Sequence, residues 1–155
     1  MAVYFLDSSA LVKRYIRETG TNWVSSLFSP DLGNDCFVAA IAGVEIIAAI
    51  SRRARSGSVK AADAALACAQ FKQDFQSTYQ IIEITENVIS LGMSLAESRG
   101  LRGYDAVQLA AGCAVNTLCL SNDLPPLIFV SADNELNAAA SNEGLIVENP
   151  NERSF

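Results

Sequence analysis

Four acidic side chains stand where a carboxylate is either poorly explained by stability or well placed for chemistry: Asp7, Glu45, Asp105 and Asp133. Asp7 directly follows the apolar run Val3-Tyr4-Phe5-Leu6, and Asp133 follows Leu127-Ile128-Phe129-Val130 by way of Ser131-Ala132. Short continuous apolar runs read as strands buried on both faces, as at the centre of a parallel sheet. An acid at the carboxyl end of such a strand faces the crevice where open α/β sheets bind ligands. If the two strands are neighbours where the strand order reverses, Asp7 and Asp133 share that crevice. Asp105 lies in the first turn of an expected helix, where the helix dipole favours an anion. Glu45 is the least explained by stability, because its neighbours one helical turn away are Ile41, Ala42, Ala48 and Ala49. A buried carboxylate without a partner is costly, so an acid in that setting calls for a cation or protons.

Carboxylates that converge repel one another unless a hard cation sits between them, and Mg²⁺ or Mn²⁺ is the expected cofactor. Such a centre suits phosphodiester hydrolysis, in which the ion lowers the pKa of a water and shields the phosphate. Composition removes the main competitors. The 155 residues include no histidine, which excludes Ser-His-Asp and Cys-His nucleophile systems and leaves little room for zinc. The usual general base of metal-free ribonucleases is missing for the same reason. A net charge of −6 argues against a basic coat that binds nucleic acid indiscriminately. Local basic patches remain, with Lys13, Arg14 and Arg17 after the first strand and Arg52, Arg53 and Arg55 after Glu45 as candidate phosphate contacts.

The elements that must position these groups follow from patterning. Half of the residues are hydrophobic and 18% are charged, which fits a single globular domain over residues 1–149 with a frayed tail at 150–155. No apolar run is long enough to span a bilayer, and the first strand begins almost at Met1, without a signal peptide before it. Cys36, Cys68, Cys113 and Cys119 form no C-x-x-C pair and read as reduced thiols. A cytoplasmic location follows as the expectation. Ser8 or Ser9 is expected to cap a first helix that turns Leu11, Val12, Tyr15 and Ile16 inward. A short helix at 22–28 and a strand at 36–39 come next, then a helix at 41–55 burying Ile41, Val44, Ile47 or Ala48, and Ile50. An Ala-rich helix at 59–76 leads to a strand at 79–84 and a helix from 85 to about 99. Asp105 opens a helix to about 116, and strands at 127–130 and 145–147 flank a last helix at 134–141. This alternation implies a parallel sheet covered on both faces.

The chain resembles the PIN-domain family, in particular the VapC-like ribonuclease toxins of bacterial toxin–antitoxin pairs. Four stretches carry the resemblance in the family's order: Val3-Tyr4-Phe5-Leu6-Asp7-Ser8-Ser9-Ala10-Leu11, Val44-Glu45-Ile46-Ile47-Ala48-Ala49-Ile50, Leu101-Arg102-Gly103-Tyr104-Asp105-Ala106-Val107-Gln108-Leu109-Ala110, and Phe129-Val130-Ser131-Ala132-Asp133. The resemblance implies a three-layer α/β/α fold with a central parallel sheet of about five strands in the order 3-2-1-4-5. It implies a divalent-metal-dependent endoribonuclease with Asp7, Glu45, Asp105 and Asp133 as its acidic metal site, supported by Ser9 and Ser131. It also implies a small antitoxin as partner and a homodimer. Two positions depart from the pattern: Gln108 stands where His is often found, and Ser131 where Thr is frequent. The alternatives are a non-cleaving PIN-like module that binds RNA or protein, and a housekeeping nuclease without an antitoxin.

Overall fold

Alternate residues of the first strand face opposite ways, and the chain builds a core on each side of it. A computed structural model describes residues 1–153. Strand β1 (Val3–Leu6) sends Val3 and Phe5 into one core and Tyr4 and Leu6 into the other. It is followed by α1 (Ser8–Leu11), a tighter 3₁₀ turn (Val12–Arg14) and α2 (Thr21–Ser26). Then come β2 (Asp35–Ala39), the helical pair α3 (Ala42–Ser56) and α4 (Ala61–Ser77), β3 (Gln80–Ile82), α5 (Glu86–Arg99), α6 (Gly103–Ser121), β4 (Ile128–Val130), α7 (Asn134–Asn142) and β5 (Ile146–Glu148). All strand pairs are parallel and the order is β3-β2-β1-β4-β5. The order reverses at β1, between β2 and β4, which is the switch point expected to hold a ligand.

Val3, Phe5, Phe129 and Leu127 pack with α5, α6 and α7 on one face, while Leu6, Val38 and Val130 pack with α1 to α4 on the other. The result is three layers, as the sequence implies. Gly112 is what lets α6 lie flat on the sheet. A Cβ there would stand 2.9 Å from the Phe129 ring, which is itself stacked on Phe5 with centroids 5.4 Å apart. This close approach sets the depth of the helix that carries Asp105 and Gln108.

Several local expectations are corrected. Asp7 itself, not Ser8 or Ser9, is the N-cap of α1, accepting from the Ala10 N–H. The α-helix there lasts one turn before tightening to 3₁₀ geometry. Helix α3 buries Ala42, Ile46 and Ile50, and leaves Val44 74% exposed. Of the residues expected inward, Ile50 is buried and Ile41 and Ile47 are partly buried against the cores; only Val44 turns outward, its place taken by Ile46, which joins Leu11 and Phe71 in one buried cluster. Strand β3 is shorter than its apolar run, and α6 runs on to Ser121, a turn further than expected. The frayed tail is corrected as far as residue 153. Pro150–Glu152 form a 3₁₀ turn with Pro150 buried, Gly20 (φ +89°) lies against the Pro150 carbonyl, and Arg153 pairs with Glu148 at 2.6 Å. Residues 154 and 155 lie outside the described residues. All four cysteines are free thiols, and among the described residues no helix is long and apolar enough to cross a membrane.

Candidate active site

Pairing between β1 and β4 carries on one residue past the strand, with the Asp7 N–H donating to the Val130 carbonyl at 3.1 Å. This brings Asp7 alongside Ser131. Asp7 is 3% exposed and both of its carboxylate oxygens are engaged. Oδ1 accepts from Ser9 Oγ at 2.7 Å and from the Ala10 N–H at 3.0 Å, and Oδ2 accepts from Ser131 Oγ at 2.7 Å. The two serines also tie the neighbouring loop in place: Ser9 Oγ accepts from the Ala132 N–H at 2.9 Å and Ser131 Oγ from the Asp133 N–H at 3.1 Å. Asp133 caps α7 by accepting from the Leu136 N–H at 3.1 Å. Ser9 and Ser131 thus hold both Asp7 and the turn that presents Asp133.

Glu45, in the first turn of α3, accepts at Oε1 from Ser8 Oγ at 2.9 Å and from Gln108 Nε2 at 2.7 Å. Asp105 sits half-buried in the first turn of α6. The ion pairs among the described residues engage Glu18, Asp74, Glu143 and Glu148, and none of the four acids. Their electrostatics reflect that. Burial pushes the Asp7 carboxyl up to about 6, the hydrogen bonds from Ser131, Ser9 and Ala10 pull it back, and the charge of Asp105 adds to the rise. Asp105 is likewise pushed up to about 6, first by burial and then by the negative charges of Asp133 and Glu45, against a smaller lowering by Arg102. The acids therefore act on one another across the crevice, and the one positive charge felt there, that of Arg102 on Asp105, is not ion-paired to any of them. Four carboxylates and no nitrogen or sulfur ligand form a donor set suited to a hard divalent cation. As the side chains stand, no group of three or more of them among the described residues is drawn together into a metal cage; Asp7 and Asp133 instead spend oxygens on backbone and hydroxyl donors.

The basic candidates separate into two groups. Lys13 is 4% exposed and paired with Glu18 at 3.1 Å. Arg14 donates to Tyr79 Oη at 2.8 Å, pairs with Asp74 at 3.5 Å and lies 4.1 Å from the centroid of the Phe28 ring. Both are corrected as phosphate contacts, because their charges are spent inside the fold. Arg17, Arg52 and Arg55 are exposed. Arg53 gives Nη2 to Glu18 at 3.1 Å and leaves Nη1 buried without a partner. Arg17 and Arg53, with Lys60, line an open hollow of about 560 Å³. The contacts of Ser8 and Gln108 with Glu45 were not anticipated. In the sequence Gln108 stands out as a departure from the family pattern and as a polar residue one turn after Asp105 on an otherwise apolar helix face, but neither feature ties it to Glu45.

No protein-family model matches the chain. It is 30% identical over 145 residues to Ribonuclease VapC45 of Mycobacterium tuberculosis (strain CDC 1551 / Oshkosh), spanning 93% of each chain. It matches Ribonuclease VapC49 of Mycobacterium tuberculosis (strain ATCC 25618 / H37Rv) to the same extent. Among solved structures, the fold superposes on PAE2754 from Pyrobaculum aerophilum with a TM-score of 0.62 and 22% identity, over 94% of this chain and 89% of that one. It superposes on a chain of VapBC2 from Rickettsia felis, solved with a DNA fragment from its promoter, with a TM-score of 0.60 and 15% identity, over 95% and 98%. The parallel five-stranded sheet is the PIN-domain arrangement, and at this identity across nearly the full length the chain belongs to the VapC ribonuclease family.

Proposed function

We propose that the chain is a divalent-metal-dependent endoribonuclease, and the toxin of a toxin–antitoxin pair. The observation that carries this reading is Asp7, a carboxylate buried at the sheet's switch point with no cation beside it. Capping α1 and accepting from Ser9 and Ser131 call for an acceptor at this position, but not for a full charge. The names of the two VapC relatives support RNA as the substrate, and the complexes among the structural neighbours, such as the toxin-antitoxin complex from Klebsiella pneumoniae, support a small antitoxin partner.

In this reading Asp7, Asp105 and Glu45 would hold Mg²⁺ or Mn²⁺, which when bound supplies a more acidic water and neutralises charge on the phosphate. Asp133, at the start of α7, would take a second ion or orient the attacking water. Ser9 and Ser131 keep the Asp7 oxygens aimed and hold the loop that presents Asp133. Arg17, Arg52 and Arg55 are the exposed side chains left to meet the RNA backbone, with Arg53 beside them in part tied to Glu18. The domain comprises residues 1–149 with the turn at Pro150–Glu152 packed onto it, works in the cytoplasm with its thiols reduced, and pairs as a homodimer. Leu66 and Met93, 71% and 63% exposed on α4 and α5, are apolar surface that a protein partner would cover.

The test is cleavage of a mixed RNA substrate by the purified chain. EDTA should abolish it and excess Mn²⁺ should restore it. Cleavage that persists in EDTA would overturn the metal dependence, and no cleavage under any metal would overturn the activity.

A further inference from the structure

Two side chains from different helices converge on a single atom, Glu45 Oε1. Ser8, at the start of α1, donates through Oγ at 2.9 Å, and Gln108, one turn into α6, donates through Nε2 at 2.7 Å. The two donors also touch each other, with Gln108 Nε2 3.2 Å from Ser8 Oγ. A carboxylate oxygen has two lone-pair sites, so these hydrogen bonds fill Oε1. The amide can stand only one way round. With Nε2 and Oε1 exchanged, an amide oxygen would face a carboxylate oxygen with no proton between them.

Gln108 is 1% exposed, and its Oε1 is buried without a hydrogen-bond partner. Its neighbours along α6, Leu109, Ala110 and Ala111, are fully buried core residues. Burying an amide with one end unsatisfied costs stability relative to an apolar side chain of the same length. Packing therefore supplies no reason for a glutamine at this position, whereas the hydrogen bond it gives to Glu45 does.

We infer that Gln108 and Ser8 are positioning residues that occupy Oε1 of Glu45 and leave Oε2 as the one oxygen of that carboxylate free for a divalent cation. The inference rests on the metal-dependent reading above. Glu45 would then act through one oxygen in a fixed direction. The amide holds it there without a positive charge of its own that would compete with the ion for the carboxylate.

The experiment is calorimetric titration of the purified full chain with Mn²⁺, beside steady-state RNA cleavage and a thermal midpoint. Gln108→Met keeps the length and removes the donor. It should weaken Mn²⁺ affinity by about 10-fold, the lower end of what loss of an outer-shell partner costs. It should lower kcat at fixed Mn²⁺ with KM for RNA unchanged, and leave the thermal midpoint equal or raised. Ser8→Ala should weaken Mn²⁺ in the same direction, and it carries the test alone if Gln108→Met does not fold. In a Glu45→Gln background, Gln108→Met should cost no further affinity. Wild-type affinity in both Gln108→Met and Ser8→Ala, or an equal loss with and without Glu45→Gln, would overturn the inference. A wild-type chain that binds no Mn²⁺ would overturn it together with the metal reading. If the wild type binds and Asp7→Asn does not, the metal reading stands and only the positioning role is on trial.

Discussion

The fold buries two aspartates, Asp74 and Asp7, and they are treated in opposite ways. Asp74, on α4, is met by a cation: Arg14 lies 3.5 Å away, Tyr15 Oη donates at 2.7 Å and Gln70 Nε2 at 3.0 Å. Tyr15 and Tyr79 are hydrogen-bonded to each other beside it. Asp7, at the end of β1, is more deeply buried and receives only two hydroxyls and one backbone N–H. The charge that acts on it is another acid, Asp105. A buried carboxylate supplied with its own guanidinium is a closed structural unit. One supplied only with neutral donors is held in place and left short of positive charge, which is the state of a group awaiting a ligand.

The largest effect expected from this contrast is on catalysis. Asp7→Asn keeps the size and the capping ability of the side chain and removes its charge. RNA cleavage should fall by more than the roughly 10–100-fold typical of outer-shell changes at metal centres, while the thermal midpoint of the metal-free protein at pH 7 stays the same or rises. A gel assay and a melting curve on the same preparation check both halves.

Asp74→Ala should do the reverse. Leaving Arg14 and Tyr15 without their acceptor should cost about 2–3 kcal/mol in urea unfolding, with cleavage per folded molecule close to wild type. A loss of activity without a loss of stability would erase the distinction between the two aspartates.

How much of this was legible in the sequence divides along the same line. The strand endings at Asp7 and Asp133 stood out because apolar runs and their terminal acids are local features. The helix-start position of Asp105 was equally local, and the resemblance supplied the strand order, which no single stretch encodes. What could not be read was which polar groups had partners at long sequence distance. Lys13 and Arg14 look like a solvent-facing basic pair, yet Arg14 meets Asp74 and Tyr79 more than fifty residues away. Ser8 and Gln108 reach Glu45 from positions 37 and 63 residues away, joined only by the fold. On α3 only Val44 is misplaced, because the apolar residues of that helix cover too wide an arc for spacing alone to choose between Val44 and Ile46.

A smaller effect separates the spent basic residues from the free ones. Arg17→Ala and Arg52→Ala should each weaken RNA binding a few-fold and lower the salt dependence by about 0.7 for each phosphate no longer neutralised. Binding measured at several salt concentrations by fluorescence anisotropy checks this, and unchanged slopes in both variants would remove these arginines from the RNA path.

If a divalent ion supplies the positive charge missing around Asp7, thermal unfolding with and without Mn²⁺ at two pH values shows it most directly. Asp7 and Asp105 keep protons in the folded state up to about pH 6 that they release near pH 4 when free. Metal-free stability should therefore fall as pH rises from about 4 to above 6, and less steeply in Asp7→Asn. Mn²⁺ at ~100 times its Kd should recover part of that loss at pH 7.5, raising the wild-type midpoint by roughly 5 °C or more. At pH 5, where protons compete for the same oxygens, the gain should be much smaller, and in Asp7→Asn it should vanish at both pH values. An equal gain in wild type and Asp7→Asn, or one that does not grow with pH, would contradict the account.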